Sequence, residues 1–151
     1  MKLALIGYGR VARAFARLLA ARRGAHPFVI TGAMARRRYI LDPAGIPVEP
    51  VFVEAECNVE GFLNECPCDA VVELTTLNPL DGEPAISHVR AAFARGKHVV
   101  TANKGPVAHA WHELQDEAAR RGLHFLYESV VMDGTPIFNL ARHTLPQVRV
   151  L

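Results

Sequence analysis

At 151 residues the chain has the length of one domain. Half of its residues are hydrophobic and only 21% are charged, a balance that supports a buried core and excludes a disordered chain. Seventeen basic and 15 acidic residues leave a net charge of +2, which gives no support to nucleic-acid binding through global charge. No run of about 18 apolar residues occurs, so no membrane-spanning helix is expected.

The first element is an apolar run over residues 2–7, read as a buried strand. The run breaks at Gly7 before the hydrophobic stretch of a leader can form, so the expectation is a chain without a cleavable signal. Residues 10–23 have helical periodicity, with Val11, Phe15, Leu18 and Leu19 on one expected face, Arg13, Arg17 and Arg22 on another, and Gly24 as the stop. A second strand is expected over residues 28–31. Residues 34–50 read as irregular because Pro43, Gly45, Pro47 and Pro50 interrupt them. A short strand over 51–53 and a short helix over 59–64 follow. The pattern then becomes regular: strand 70–74, helix 83–95 ended by Gly96, strand 98–101, helix 107–121 ended by Gly122, and strand 124–127. Val148 onward reads as the start of another strand. Strands alternating with helices predict an α/β fold, a Rossmann-type doubly wound parallel sheet in a single domain over residues 1–151.

The run Gly7-Tyr8-Gly9-Arg10-Val11-Ala12 falls between the first strand and the first helix. It is the dinucleotide fingerprint G-x-G-x-x-G/A. One glycine permits the tight turn, the second admits a pyrophosphate close to the backbone, and the small third residue lets the helix pack on the sheet. The helix N-terminus adds free N–H groups and a partial positive charge. The motif alone is weak, but its place directly after a strand and before a helix makes it specific. The expected contacts are Gly7, Tyr8, Gly9, Arg10 and Val11. After the second strand no acid is present for a ribose 2′-hydroxyl, and Ala35-Arg36-Arg37-Arg38 offers guanidinium groups instead. Arg36 first and Arg37 next are therefore expected to clamp a 2′-phosphate, which favours NADP over NAD, although most such charge runs are solvated loops.

Thr75 and Thr76 follow the strand 70–74 at the sheet edge where ligands of this fold bind, expected near the nicotinamide ribose; capping of the next turn is the plainer alternative. The strand 98–101 brings Thr101, Asn103 and Lys104 to the same edge. A lysine there can donate a proton to a developing alkoxide or hold a ligand electrostatically, and Lys104 is the expected catalytic residue. Seven histidines, His26, His88, His98, His109, His112, His124 and His143, are scattered without a metal-ligand spacing and are expected at the surface. Cys57, Cys66 and Cys68 fit neither a redox CxxC nor a zinc knuckle and are expected as reduced thiols of a cytoplasmic protein.

The run Val99-Val100-Thr101-Ala102-Asn103-Lys104 resembles the "VVTANK" segment of homoserine dehydrogenases. The Val-Val-Glu-Leu before Thr75, the Gly96-Lys97-His98 run and the segment Tyr127-Glu128-Ser129-Val130-Val131-Met132-Asp133-Gly134-Thr135-Pro136-Ile137 are also similar to that family, in the same order. The resemblance implies an NAD(P)-dependent oxidoreductase that interconverts homoserine and aspartate semialdehyde, in the biosynthesis of amino acids such as threonine and methionine. It implies that Lys104 lies between nicotinamide and substrate, with Asn103 beside it, and both are expected to contact the cofactor as well. It further implies that Glu128 and Val131 belong to a segment that binds a monovalent cation in some members. Met132-Asp133 replaces the small residues common there, and a single carboxylate is a weak metal signal.

Family members carry a substrate domain after this half, so the chain is expected to be the cofactor-binding half, inactive alone, with a small-molecule substrate, no nucleic-acid or membrane partner, and a homodimer in the full enzyme. Two alternatives stay open at this point. One is a dinucleotide-binding module without turnover, and the other is a small Rossmann dehydrogenase of different substrate.

Overall fold

The computed structural model describes residues 1–144. The strand expected from Val148 lies outside them. In chain order the strands are β1 (Lys2–Ile6), β2 (Val29–Ala35), β3 (Arg38–Leu41), β4 (Val53–Glu54), β5 (Ala70–Glu73), β6 (His98–Thr101) and β7 (Phe125–Leu126). The helices are α1 (Arg10–Ala21), α2 (Val59–Glu65), α3 (Ala85–Ala94), α4 (Lys104–Arg120), α5 (Ser129–Met132) and α6 (Ile137–Asn139), and a π-helical turn covers Leu140–Thr144. One sheet runs in the order β4-β3-β2-β1-β5-β6-β7. Its five strands from β2 to β7 are parallel, while β3 and β4 are antiparallel additions at one edge. The parallel sheet that the alternation predicts is present, and the antiparallel pair β3 and β4 extends it at one edge.

Alternation along the central strands divides the core. Ala4, Ile6 and Val71 face a cluster with Phe62, Phe93 and Leu114 from α2, α3 and α4. Leu5 and Val72 face the other side, against Ala12 and Ala16 of α1. This period-2 division lets strands buried on both faces be apolar throughout.

Three expectations change. The apolar face of α1 is not Val11, Phe15, Leu18 and Leu19: Val11 and Leu18 are exposed, whereas Ala12 and Ala16 are buried and Phe15 and Leu19 flank them. The glycine turn brings α1 close to the sheet, and only a small-residue stripe fits beneath it. Next, residues 34–50 are not irregular throughout. The second strand continues to Ala35 and turns back at Arg36-Arg37 into β3, with Ala35 opposite Arg38. Arg36 has φ +49°, a left-handed conformation uncommon for a residue with a side chain. Finally, α4 begins at Lys104 instead of Val107 because Asn103 caps it, its Oδ1 accepting from Gly105 N–H at 3.0 Å. This longer helix is kinked at Ala110.

Candidate functional site

Because β2 and β5 flank β1 on opposite sides, a crevice opens at the carboxyl ends of β1 and β5, where open α/β sheets bind ligands. A cleft of about 950 Å³ occupies it, lined from one end to the other by Arg36, Arg37, Arg38 and Glu54, by Gly7, Tyr8 and Gly9, and by Thr75, Thr76 and His88.

Gly7 holds the centre. Its φ is +94°, and a Cβ there would lie 2.6 Å from Leu74 O, so backbone would have to move for any other residue. Its N–H donates to Met34 O at 2.8 Å, while Leu74 N–H donates to Ile6 O at 2.7 Å, fixing the turn between β2 and β5. Gly9 differs: a Cβ there would meet nothing within 4 Å, so open space lies over the first turn of α1. Gly9 is the N-cap of that 12-residue helix and makes no side-chain cap, and no acid occupies the first turn. Uncapped donors facing open space suit an anion such as a pyrophosphate.

The structure brings seven of the expected cofactor residues, Gly7, Tyr8, Gly9, Arg36, Arg37, Thr75 and Thr76, onto this one cleft. Tyr8 contributes its backbone, because its buried hydroxyl donates to Val48 O at 2.6 Å. Burial, then the nearby Glu49 carboxylate, pushes that phenol's pKa up. Arg10 and Val11 are exposed and are not among the residues that line the cleft, so what they can offer a ligand there is the backbone N–H groups of the first turn of α1. Thr75 turns its hydroxyl inward to Glu73, so the cleft receives the rest of the residue.

Sequence reasoning missed the role of Glu73. Its side chain is completely buried. Oε1 accepts from Thr75 N–H at 2.9 Å and from the Thr75 hydroxyl, and Oε2 accepts from the Thr101 hydroxyl at 2.9 Å. Thr101 Oγ1 in turn accepts from Asn103 N–H at 3.0 Å, and Asn103 Nδ2 donates to Thr75 O at 3.2 Å. One carboxylate therefore ties the ends of β5 and β6 together and fixes the turn from which Lys104 starts α4. An acid at the end of a buried apolar strand is the signal that could have found it, since such a charge persists only with a full set of donors. Lys104 itself is exposed and does not line the cleft.

His88, expected at the surface, is another departure. It lies on the face of α3 that meets the cleft, one turn after Pro84, with a side chain only 15% exposed. At the far C-terminal side, Glu128 Oε1 accepts from Asn139 N–H at 3.1 Å, and the Val131 side chain is exposed. Among the described residues no three metal-ligating side chains converge. Glu128 and Val131 do not by themselves assemble the oxygen shell of a cation. All three cysteines are free thiols, with Cys66 and Cys68 buried. No helix among the described residues is long and apolar enough to cross a membrane.

Residues 7–128 match the family described as the homoserine dehydrogenase NAD-binding domain. The chain is 37% identical to an NAD(+)-dependent homoserine dehydrogenase of Pseudomonas canavaninivorans, across 95% of this chain and 47% of that protein. It is 33% identical to a homoserine dehydrogenase of Sulfurisphaera tokodaii, across 100% of this chain and 49% of that protein. The crystal structure of a homoserine dehydrogenase from Thermoplasma acidophilum superposes with a TM-score of 0.77 at 25% identity, covering 97% of this chain and 49% of that one. The chain thus spans about half the length of the relatives it matches.

Proposed function

This chain belongs to the homoserine dehydrogenase family through its NAD-binding domain, and from that premise we propose that its cleft binds NADP(H) for the interconversion of homoserine and aspartate semialdehyde. The observation that carries the reading is the uncapped N-terminus of α1 facing open space over Gly9. The pyrophosphate meets those N–H groups, Arg36 and Arg37 take the 2′-phosphate, and the nicotinamide lies toward Thr75 and Thr76.

When bound, the dinucleotide supplies a hydride donor and acceptor at C4 of its nicotinamide. The protein's part is positioning and proton transfer. Lys104 holds the carbonyl oxygen of the semialdehyde and gives it a proton as the alkoxide develops. Its location outside the cleft lining supports contact with substrate instead of a cofactor-anchoring role. Asn103 keeps it there through its bonds to Thr75 and Gly105. In the relatives, about half of the length lies beyond the matched region, and recognition of the rest of the substrate is assigned to residues outside this cleft. A cation has no part in this reading.

One observation favours a second assignment of cofactor. Glu54 of β4 lines the arginine end of the cleft and pairs in register with Arg38. An acid there can accept from the ribose 2′-hydroxyl of NAD. Calorimetric titration of the chain with NADPH and NADH separates the two. The proposal expects tighter NADPH binding; equal or tighter NADH binding transfers the assignment to Glu54, and binding of neither removes the cofactor reading. Homoserine-dependent NADP reduction by the full-length protein, followed by nicotinamide absorbance, tests the activity.

A further inference from the structure

His88 is the buried polar group that the proposed reaction leaves unused. Among the described residues its Nδ1 is the only buried side-chain nitrogen or oxygen without a hydrogen-bond partner. That nitrogen stands 3.9 Å from Glu73 Oε1, about 1 Å beyond a hydrogen bond. A carboxylate offers about four acceptor positions, and three on Glu73 are filled by Thr75 N–H, the Thr75 hydroxyl and the Thr101 hydroxyl. Two of those three fall on Oε1, so the position left open is on Oε2, and His88 Nδ1 is the unpaired buried nitrogen beside this carboxylate. The imidazole also lines the cleft at the end away from the arginines, alongside Thr75, Thr76 and Pro84. A buried nitrogen left unpaired is costly, so its persistence calls for a partner that arrives with a ligand.

We propose that His88 is a specificity-determining contact for the nicotinamide riboside half of the cofactor, with Glu73 setting which ring nitrogen faces it. This rests on the reading of the cleft as a dinucleotide site. A proton on Nδ1 directed at the Glu73 carboxylate leaves Nε2 as a bare acceptor. The nicotinamide riboside half carries donors that suit it, the carboxamide NH₂ and the ribose hydroxyls. Seating of that half moves the ring the short distance that closes Nδ1–H onto Glu73. The adenosine half, at the arginine end, makes no use of His88. The imidazole therefore distinguishes a whole dinucleotide from a ligand that carries only its adenosine and phosphates.

The test compares two ligands that differ by this half: NADPH and 2′-phospho-ADP-ribose, titrated by calorimetry into the wild-type chain and its variants. His88→Ala should weaken NADPH by about 3- to 10-fold, the usual value of one hydrogen bond, and leave phospho-ADP-ribose within about twofold. His88→Gln, whose amide reaches toward the Nε2 position, should recover part of the NADPH affinity, and His88→Asn, which replaces only Nδ1, should not. In the NADPH complex, ¹⁵N imidazole shifts should report one tautomer with the proton on Nδ1. Equal weakening of both ligands, an unchanged NADPH affinity in His88→Ala, or a wild type that binds NADPH no tighter than phospho-ADP-ribose would each overturn the role of His88 and leave the cleft assignment standing. Failure of the wild type to bind either phospho-ADP-ribose or ADP-ribose would instead remove the dinucleotide site itself, and this inference with it.

Discussion

The two ends of the cleft are built from different materials. At the end of β5 and β6, Glu73, Thr101 and Asn103 are buried and linked to one another and to Thr75 by hydrogen bonds. At the β2–β3 turn, Arg36, Arg37 and Arg38 are exposed, and Arg36 occupies a left-handed backbone conformation. A change at the first end disturbs two strands and a helix start. A change at the second alters only charge and reach. The comparison teaches that one end holds its geometry through the fold, whereas the other can be changed with little cost to the fold.

The largest expected effect belongs to the residue that the buried end carries outward. On the proposed function, Lys104→Ala should lower homoserine-dependent turnover by about 10² to 10⁴, the range of a lost acid–base group. The affinity for NADP should change little, because the pyrophosphate site at Gly7 and Gly9 is untouched. A variant that keeps its turnover and loses NADP affinity would make Lys104 a cofactor anchor. Next in size is the effect of Glu73→Leu, which keeps the volume and removes the acceptors of three donors. Unfolding by urea should show a loss of about 2–4 kcal/mol, as expected when buried donors lose a charged acceptor. A loss below about 0.5 kcal/mol would mean that the two ends do not differ in kind.

The same contrast governs what the sequence discloses. The strand 98–101 matches β6, and the fingerprint lies where its motif requires, between β1 and α1. These features depend on local pattern: an apolar run and a pair of glycines. The role of Glu73 depends on hydroxyls that arrive from a neighbouring strand, Thr101 standing 28 positions away along the chain. Glu54 likewise reaches the cleft only because β3 folds back on β2 and carries β4 beside it. Residues 34–50 hid that hairpin because Arg36-Arg37 lacks the Asn-Gly or Gly that announces a two-residue turn. The inward face of α1 was misjudged for a related reason. Hydrophobicity ranks Val11 and Leu18 above Ala12 and Ala16, while close approach to the sheet selects for size.

At the exposed end, Arg36→Ala should reduce NADP affinity by about 1.5–3 kcal/mol through loss of a charge-assisted phosphate contact. NAD affinity should stay nearly unchanged, and stability should shift by less than about 0.5 kcal/mol. Comparable losses for NADP and NAD would show that the guanidinium does not read the 2′-phosphate. A melting shift as large as that of Glu73→Leu would erase the distinction between the two ends.

The smallest effect is the most informative about preference. Glu54 and Arg38 face each other across β3 and β4, so the arginine end holds an acid as well as its bases. A 2′-phosphate close to that carboxylate meets repulsion that solvent screens, whereas a 2′-hydroxyl can donate to it. Glu54→Gln removes the charge but keeps the length of the side chain. It should therefore strengthen NADP binding slightly and weaken NAD binding slightly, each by about 0.3–1 kcal/mol, the scale of an exposed charge pair. The sign matters more than the size. If both affinities move together, Glu54 acts on the shape of the strand pair and not on the ligand. If NAD falls while NADP rises, the balance between Glu54 and Arg36 sets the preference, and Arg36→Ala combined with the native Glu54 should then favour NAD outright in paired calorimetric titrations.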